Sequence, residues 1–311
     1  MKRSRTRKGA PGIVEVAKRA NVSPATVSRF YNSPDVVKLP TRKRIEEAAQ
    51  DLGYIRDRAA GMLHGGFSGT IGLIVPTIDN AIFAEFIQAF AAQLEKHGRT
   101  MLIAAHGYDL SKEVAIVRSL LERRIDGVAL IGLEHQKTPL EMLASRNVPT
   151  LAVWNFRENS PLSCVGADNF NAGWQVARHL VEKGHTDIAL LFPPTAENDR
   201  SRDRLDGVLS ALGTTETQLG SRRLKEAPYN IGQAKDAVLD LMRTQRPTAL
   251  VCGNDIIAQG AIYAGQKLDL RIPDDISIIG IGDFRGSAHM EPGLTTLRIP
   301  ARQIGETAAD A

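Results

Sequence analysis

The sequence has few of the features on which secreted and membrane proteins depend. It holds only two cysteines, Cys164 and Cys252, in 311 residues, and they form neither a CxxC pair nor a group with nearby histidines. A disulfide framework is therefore not expected, and both thiols are predicted to be small buried residues in a reducing cytosol. No apolar run approaches the length of a membrane span, so a membrane partner is not expected either.

The sequence also lacks the residue groupings of an enzyme. Its 7 histidines are scattered, with no HExxH pair and no nucleophile elbow. The G-x-G of GIGD lacks the third glycine of a nucleotide-binding fingerprint. Acid–base catalysis needs a base and its proton partner within reach of each other, and the sequence nominates no such pair. We expect no catalytic residue, no metal site and no cofactor.

Positive charge is concentrated at the N-terminus. Residues 1–65 carry 14 Lys/Arg against 6 Asp/Glu, a net of +8, whereas the whole chain has a net of +4, so the remainder is negative. Such a footprint is typical of a segment that lies against phosphates. The opening MKRSRTRKGAPG is followed by no long apolar stretch, so it is not a secretory signal. It is either a basic arm that adds salt-dependent DNA affinity or a solvated tail.

Residues 13–32 predict two short helices separated by a turn at Asn21, Val22 and Ser23. Ser23 is placed to cap the second helix, and Pro24 stands at the first helical position, where its missing N–H costs nothing. A third helix is predicted over residues 40–53, ended by Gly53. The pattern indicates a helix-turn-helix whose second helix lies in the DNA major groove. The alternative is a capped helical pair within a larger α domain.

The second helix supplies side chains suited to DNA. Arg29 has the reach and the planar fork to bond a guanine edge, so it is expected to carry most hydrogen-bonded base discrimination. Pro24 and Ala25 offer only apolar contact, for example with thymine methyl groups. The predicted phosphate contacts are short polar or basic side chains: Ser23, Thr26, Ser28, Asn32, Lys38 and Thr41.

From Thr70 onward, apolar strands alternate with amphipathic helices, a pattern that predicts parallel sheets covered on both faces. Two such series in tandem predict two lobes. Ligands of open α/β sheets bind beyond the carboxyl ends of the strands. A ligand cleft is therefore expected at the residues that follow these strands.

Several motifs together resemble the LacI/GalR family of bacterial transcription regulators, over almost the whole chain. The first are VSPATVSR followed by an aromatic residue and Asn, and then LGYIRDRA. Further along, in the order of the family, come GTIGLIVP, GADN, RLDG, GNDIIAQGA, IPDDISIIG and PGLTTL. GIGDF and SRF lean toward the gluconate-repressor branch of the family.

The resemblance implies an N-terminal all-α helix-turn-helix domain plus a two-lobed α/β effector domain with the periplasmic-binding-protein fold. The expected domains are 1–57 for DNA binding, 58–67 as a hinge helix, and 68–311 for effector binding and dimerisation. Leu63 would wedge into the minor groove; the alternative is a plain linker. The family continues beyond RQIGETAADA, so a truncated or short last lobe is expected.

The implied function is a cytoplasmic, nucleoid-associated transcription regulator, with a repressor favoured. It would bind double-stranded operator DNA as a homodimer or a tetramer, under the control of a small effector. One rival is a sugar-binding transport protein, which would need an export signal and no basic helix pair. A second rival is a sugar-acid enzyme, which would need catalytic residues.

The resemblance also implies effector-binding residues: Asp79, Asn80, Phe83, Arg204, Asn254 and Asp283. Arg204 matches an arginine that forms forked bonds to ligand oxygens, with a surface salt bridge as the alternative. Asp79 or Asn80 could instead cap a helix, as Asp255 could. The carboxylate of the family is either moved by one position, to Asp283, or lost from the pocket. A position near Ala227 that is often aromatic in relatives is small here, with Tyr229 close by, so the usual stacking platform is expected to be absent. A lost carboxylate beside Arg200, Arg202 and Arg204 favours a sugar acid or related sugar derivative.

Overall fold

The computed structural model describes residues 11–56 and 67–311. They fall into two compact units, one ending at Ser68 and the other running from Gly69 to Ala311. The predicted basic arm over residues 1–10 and the predicted wedge at Leu63 lie outside the described residues. So does the predicted boundary between residues 57 and 58.

The first unit is built from three helices: α1 (Ile13–Ala20), α2 (Pro24–Asn32) and α3 (Leu39–Leu52). The predicted caps are confirmed, because the Thr26 amide donates to Ser23 Oγ at 3.1 Å and Gly53 ends α3 in the left-handed conformation. The three helices enclose a small apolar core that consists of Val16, Ala17, Ala20, Val27, Ile45, Ala48 and Ala49.

The second unit contains two five-stranded sheets in which every strand pair is parallel, as predicted. The first sheet has the order β2-β1-β3-β4-β5. Its strands are β1 (Thr70–Val75), β2 (Thr100–Ala105), β3 (Gly127–Ile131), β4 (Thr150–Asn155) and β5 (Cys164–Ala167). The helices between them are α4 (Ala81–Lys96), α5 (Glu113–Glu122) and α6 (Lys137–Ser145).

The second sheet has the order β10-β9-β8-β6-β7. Its strands are β6 (Ile188–Phe192), β7 (Leu224–Glu226), β8 (Ala249–Cys252), β9 (Ser277–Gly282) and β10 (Thr295–Arg298). The helices of this part of the chain are α7 (Asn169–Glu182), α8 (Asp199–Leu212), α9 (Glu216–Arg223), α10 (Ile231–Thr244), α11 (Asp255–Lys267) and α12 (Ala301–Asp310). We call the first sheet with α4, α5, α6 and α12 lobe 1, and the second sheet with α7 to α11 lobe 2.

The chain passes between the lobes more than once. After β5 it enters lobe 2 as α7, which packs closely on α8: a Cβ on Gly173 would collide with the Arg204 carbonyl, so only glycine allows this approach. After β10 it returns to lobe 1, where α12 packs on α4 and Asp310 accepts hydrogen bonds from Gln93 Nε2 at 2.6 Å and bonds His97 Nε2 at 2.8 Å. The lobes are therefore joined by several chain segments.

Two sequence expectations need correction. The pattern did not predict α9, β5, β7 or β10, because these elements are short or lie at the edge of a sheet. Cys252 is fully buried, as predicted, and burial raises the pKa of its thiol. Cys164 is not buried but partly exposed, because β5 is an edge strand. Among the described helices, none is long and apolar enough to cross a membrane.

Candidate functional site

The first candidate site is the exposed face of α2. Ser23, Pro24, Ala25, Arg29 and Asn32 are exposed there, whereas Val27 faces the core and is fully buried. Thr26 and Ser28 lie at the edge of this face and are half-buried. The capped helix therefore presents most of the predicted DNA-contacting side chains on one surface.

The polar side chains of this face differ in how many hydrogen bonds they already form within the protein. Arg29 has no ion pair or side-chain hydrogen bond to any described residue, so its guanidinium is available to an external acceptor. Asn32 donates to Ser28 Oγ at 3.3 Å and accepts from Arg56, so its amide is held on two sides. Lys38 is exposed at the N-cap position of α3, and Thr41 in the first turn is half-buried.

The second candidate site is a cleft between the two lobes. In lobe 1, strand order reverses at β1, which has β2 on one side and β3 on the other; in lobe 2 it reverses at β6, between β7 and β8. Loops diverge at such switch points and leave a crevice beyond the carboxyl ends of the strands. The structure has a small cavity there. Its walls are Asn80, Phe83, Tyr108, Trp154, Arg200, Arg204, Tyr229, Asn254, Ile281 and Phe284.

Arg204 and Asn254 give the cavity its buried donors. Arg204 donates from Nε to Asn169 Oδ1 at 2.7 Å and from Nη1 to the Gly253 carbonyl at 3.0 Å. No described carboxylate pairs with it, and burial lowers its pKa. Asn254 caps α11 through Oδ1, which accepts from the Ile257 amide at 3.0 Å, while its Nδ2 is buried without a described partner. Both side chains would gain from a ligand that supplies oxygen acceptors.

Arg200 and Arg202 lie in different surroundings from Arg204. Arg200 lines the cavity, but it is paired with Asp199 at 2.7 Å and donates to the Ile131 carbonyl at 3.2 Å. Arg202 does not line the cavity; it pairs with Glu134 at 2.7 Å, and both side chains are about two-fifths exposed. The expectation that three arginines face the ligand is therefore corrected to two, of which one is already paired.

Two of the predicted effector residues lie outside the cavity walls. Asp283 pairs with Arg298 at 2.6 Å and faces a neighbouring groove, and Asp79 is exposed on the loop after β1. The sequence suggested Asp255 as the cap of α11. In the structure Asn254 caps this helix instead. The buried carboxylate of Asp255 accepts from Ser287 Oγ at 2.7 Å and from Thr296 Oγ1 at 2.6 Å, with burial raising its pKa. No Asp or Glu thus lines the cavity.

The cavity contains stacked aromatic rings, although the sequence predicted that a stacking platform would be absent. Tyr108 follows β2 in lobe 1 and Tyr229 follows β7 in lobe 2, yet their rings stack across the cleft with centroids 5.2 Å apart. Burial raises the pKa of Tyr108. Tyr108 and Trp154 also have positive φ angles of 60° and 81°, which are uncommon for non-glycine residues. A stacking platform is therefore present, although Ala227 is small.

Direct hydrogen bonds hold the lobes closed around the cavity. Asp199 on α8 accepts from the Leu133 amide of lobe 1 at 2.7 Å and from Asn155 Nδ2 at 2.9 Å. Although burial raises the pKa of Asp199, Arg200 and these hydrogen bonds outweigh it, and the net pKa is lowered. Glu197 accepts from the Leu110 amide at 3.0 Å. The start of α8 is therefore the principal contact of lobe 2 with lobe 1.

A buried polar cluster lies behind this contact in lobe 1. His135 Nδ1 bonds Glu113 Oε1 at 2.7 Å, and both side chains are almost fully buried. His106 is also buried, and its Nδ1 has no described hydrogen-bond partner. Burial lowers the pKa of His106, with Glu113 acting in the opposite direction. Neither here nor in the rest of residues 11–56 and 67–311 does a group of three or more side chains occur that could hold a metal ion.

The sequence missed Tyr108, Trp154, Tyr229, Ile281 and Phe284 as cavity residues. Each lies at or just after the carboxyl end of a strand of the two sheets. A place at the end of a predicted strand was the one feature of the sequence that could have identified these residues. It does not show which of the side chains there point into the cavity. Their proximity cannot be predicted from the sequence, because long stretches of chain separate them, for example residues 108 and 229.

Comparisons with known proteins match both parts of the chain. Residues 12–57 match the family described as bacterial regulatory proteins, lacI family, and residues 177–311 match the periplasmic binding protein-like domain. The HTH-type transcriptional repressor PurR of Escherichia fergusonii is 31% identical over 299 residues, which are 95% of this chain and 87% of the relative. The same repressor of Edwardsiella ictaluri is 32% identical, over 96% of this chain and 88% of the relative.

Solved structures give the same result. The lac repressor dimer bound to operator and the anti-inducer ONPF superposes with a TM-score of 0.84 at 26% identity, covering 96% of this chain and 91% of that one. The transcription regulator GntR from Chromobacterium violaceum has a TM-score of 0.72 at 28% identity, covering 78% and 89%. The chain belongs to the LacI family of bacterial regulators and is a DNA-binding transcriptional repressor.

Proposed function

We propose that this repressor binds a near-palindromic operator as a homodimer in the cytoplasm and is controlled by a small anionic effector of the sugar-acid class. In this proposal residues 1–57 bind DNA, 58–67 connect the units with Leu63 as a minor-groove wedge, and 68–311 bind the effector and dimerise. Twofold symmetry of the protein demands the same symmetry of the operator.

The unpaired guanidinium of Arg29 supports the assignment of α2 as the base-reading helix. A forked donor on an exposed helix face matches the two acceptors on a guanine edge, and a good bidentate contact contributes about 1–3 kcal/mol of discrimination. Arg29→Ala should therefore relax base preference at one position of each half-site. An operator can be obtained by selection from a random duplex library, and an unchanged preference of the variant would contradict this role.

The buried charge of Arg204 is the observation that carries the effector class. A buried cation without a carboxylate partner is costly, and an anionic ligand group would compensate it. Asn254 adds a second donor that suits a hydroxyl or carboxylate oxygen. A small sugar acid carries both kinds of group.

A purine is the second candidate effector. It is favoured by the aromatic walls of the cavity, which include Phe83, Trp154 and Phe284 as well as the stacked tyrosines. Aromatic faces stack well on a flat heterocycle. A purine base has no negative charge to offer Arg204, however, so we place it second.

A thermal-shift screen of the intact protein against sugars, sugar acids, sugar phosphates and purines tests the effector class. A ligand at a hundred times its Kd adds about 2.7 kcal/mol to the free energy of unfolding, enough to move the melting temperature by several degrees. We expect stabilisation by a sugar acid. Stabilisation by purines or neutral sugars alone would contradict the anionic class.

Two further measurements separate the rival functions. A transport-type binding protein would bind ligand without binding DNA, so salt-dependent affinity for duplex DNA argues against it. A sugar-acid enzyme would convert its ligand, so the compound recovered after long incubation with the protein should be unchanged if the chain acts only as a regulator.

A further inference from the structure

Arg56 is the last described residue before the segment that leads to the second unit, and its side chain turns back onto α2. Its Nη1 donates to the carbonyl of Tyr31 at 2.8 Å, and its Nη2 donates to Asn32 Oδ1. The guanidinium carbon also lies 5.6 Å from the centroid of the Tyr31 ring. Three contacts thus fasten residue 56 to the last turn of the helix that carries Arg29.

These contacts add to the local cap of α2, in which the Ser33 amide donates to the Arg29 carbonyl. The last carbonyls of a helix have no partner within it, and the negative end of the helix dipole favours a cation there. Many helices end with a glycine in the left-handed conformation, but α2 ends at Ser33 with φ −150°. Arg56 satisfies the Tyr31 carbonyl from 25 residues away. Arg56 therefore adds a tertiary contact to the local cap of α2.

The same guanidinium fixes the amide of Asn32. This side chain donates to Ser28 on the preceding turn and accepts from Arg56, so two bonds set its rotamer. Tyr31 is held in turn between Phe30 and Tyr54, with ring centroids at 4.8 Å and 6.0 Å. The end of α2 is thus a packed assembly in which Arg56 is the one charged member.

We propose that Arg56 is a positioning residue for operator recognition. It sets the C-terminal turn of α2 and the orientation of Asn32, and it joins that turn to the chain that continues into residues 57–66. It acts through α2 and not by binding phosphate itself. This inference rests on the proposed role of α2 in reading bases.

The test compares Arg56→Ala with Arg56→Lys in the full chain. The probes are a duplex selected from a random library by the unsubstituted protein and a scrambled duplex of equal length and composition. Affinities are measured by fluorescence anisotropy over a range of salt concentrations. Arg19→Ala is the matched control, because Arg19 pairs with Asp51 in the same unit at 2.7 Å and its loss removes the same charge.

We expect Arg56→Ala to weaken binding to the selected duplex by about tenfold or more, the effect of losing one or two hydrogen bonds to a charged group. Binding to the scrambled duplex should fall no more than it does in Arg19→Ala, and the salt dependence should match that of the control. Lysine should restore part of the loss, since it keeps the charge at the helix end but not the fork.

Two outcomes would overturn the proposal. An equal loss on both duplexes, with a salt slope lowered by about one per contact relative to the control, would make Arg56 a phosphate contact. Unchanged affinity for the selected duplex would show that the helix end needs no tertiary cap.

A double-mutant cycle with Asn32→Ala keeps the test informative if Arg56→Ala loosens the unit as a whole. If Arg56 acts through Asn32, the second substitution should cost at least about threefold less in the background of the first. Purely additive losses would contradict the positioning role. The Arg29→Ala result stays independent, so failure of this proposal and failure of the α2 assignment are distinguishable.

Discussion

Replacement of Arg204 by methionine tests the effector site most directly. Methionine keeps much of the length and volume of the side chain, while it removes the charge and every N–H donor. In the structure the guanidinium is buried and donates to Asn169 and to the Gly253 carbonyl, and no carboxylate is among the described residues that form the cavity walls. The substitution therefore removes a buried positive charge that forms no ion pair with any described carboxylate.

The expected loss follows from this geometry. Truncation of one partner of a buried, hydrogen-bonded charge pair costs about 2–5 kcal/mol of binding free energy, so affinity should fall between roughly 30-fold and a few thousandfold. Arg202→Met is the matched control on the same helix. Arg202 pairs with Glu134 at 2.7 Å near the surface, and an exposed ion pair contributes about 0–1 kcal/mol.

Isothermal titration calorimetry with the sugar acid found in the thermal-shift screen measures both variants. The free energy of unfolding of the unliganded Arg204→Met variant should change far less than its ligand affinity, because an uncompensated buried cation does little for stability. An unchanged Kd in Arg204→Met, or an equal loss in Arg202→Met, would refute the assignment of Arg204 as the anion-binding residue.

Three further predictions follow from particular contacts. Ser23→Ala removes the cap bond to the Thr26 amide and should destabilise α2 by about 1 kcal/mol; hydrogen exchange of the α2 amides measures this, and unaltered protection would contradict it. Gly132→Ala places a Cβ against Arg200 Nη1 at a φ of +97°, so it should favour an open cleft. X-ray scattering should then give a larger radius of gyration for this variant, but not for the control Gly184→Ala, whose Cβ would meet no other atom. The pKa of His106 is lowered from 6.5 by burial, so the unfolded chain takes up a proton that the folded chain does not. The free energy of unfolding should therefore fall as pH drops below about 6.5, by up to about 1.4 kcal/mol per pH unit. Urea unfolding at several pH values should show a smaller pH dependence for His106→Gln. An equal pH dependence in both proteins would show that His106 is not the group responsible.

The helix-turn-helix could be predicted from the sequence because its signals are local. Ser23, Pro24 and Gly53 act within one turn of their own positions, and the structure gives them the predicted cap, first-turn and C-terminal roles. The alternation of apolar strands and amphipathic helices likewise predicted parallel sheets, since each segment shows which of its faces is buried. Short edge strands such as β5 and β7 have too few residues for a pattern.

The ligand cavity could be predicted only in outline. The sequence placed it beyond the carboxyl ends of the strands, and Asn80, Phe83, Arg204 and Asn254 do line it. It could not show that Asp283 turns away toward Arg298. Side-chain direction at a loop depends on partners from other loops, and those partners are known only when the sheets are assembled.

The sequence by itself determined the domain organisation and the family of this protein. The capped helix pair, the positive charge beside it and the alternation of strands and helices all depend on residues that are neighbours in the chain. The tertiary structure alone decided how each polar group is used. It brought Tyr108 against Tyr229, paired Arg200 with Asp199 while leaving Arg204 without a carboxylate partner among the described residues, and set Arg56 against the end of α2. The physical reason is that pairing, burial and stacking are properties of distances in space, which positions along the chain do not contain.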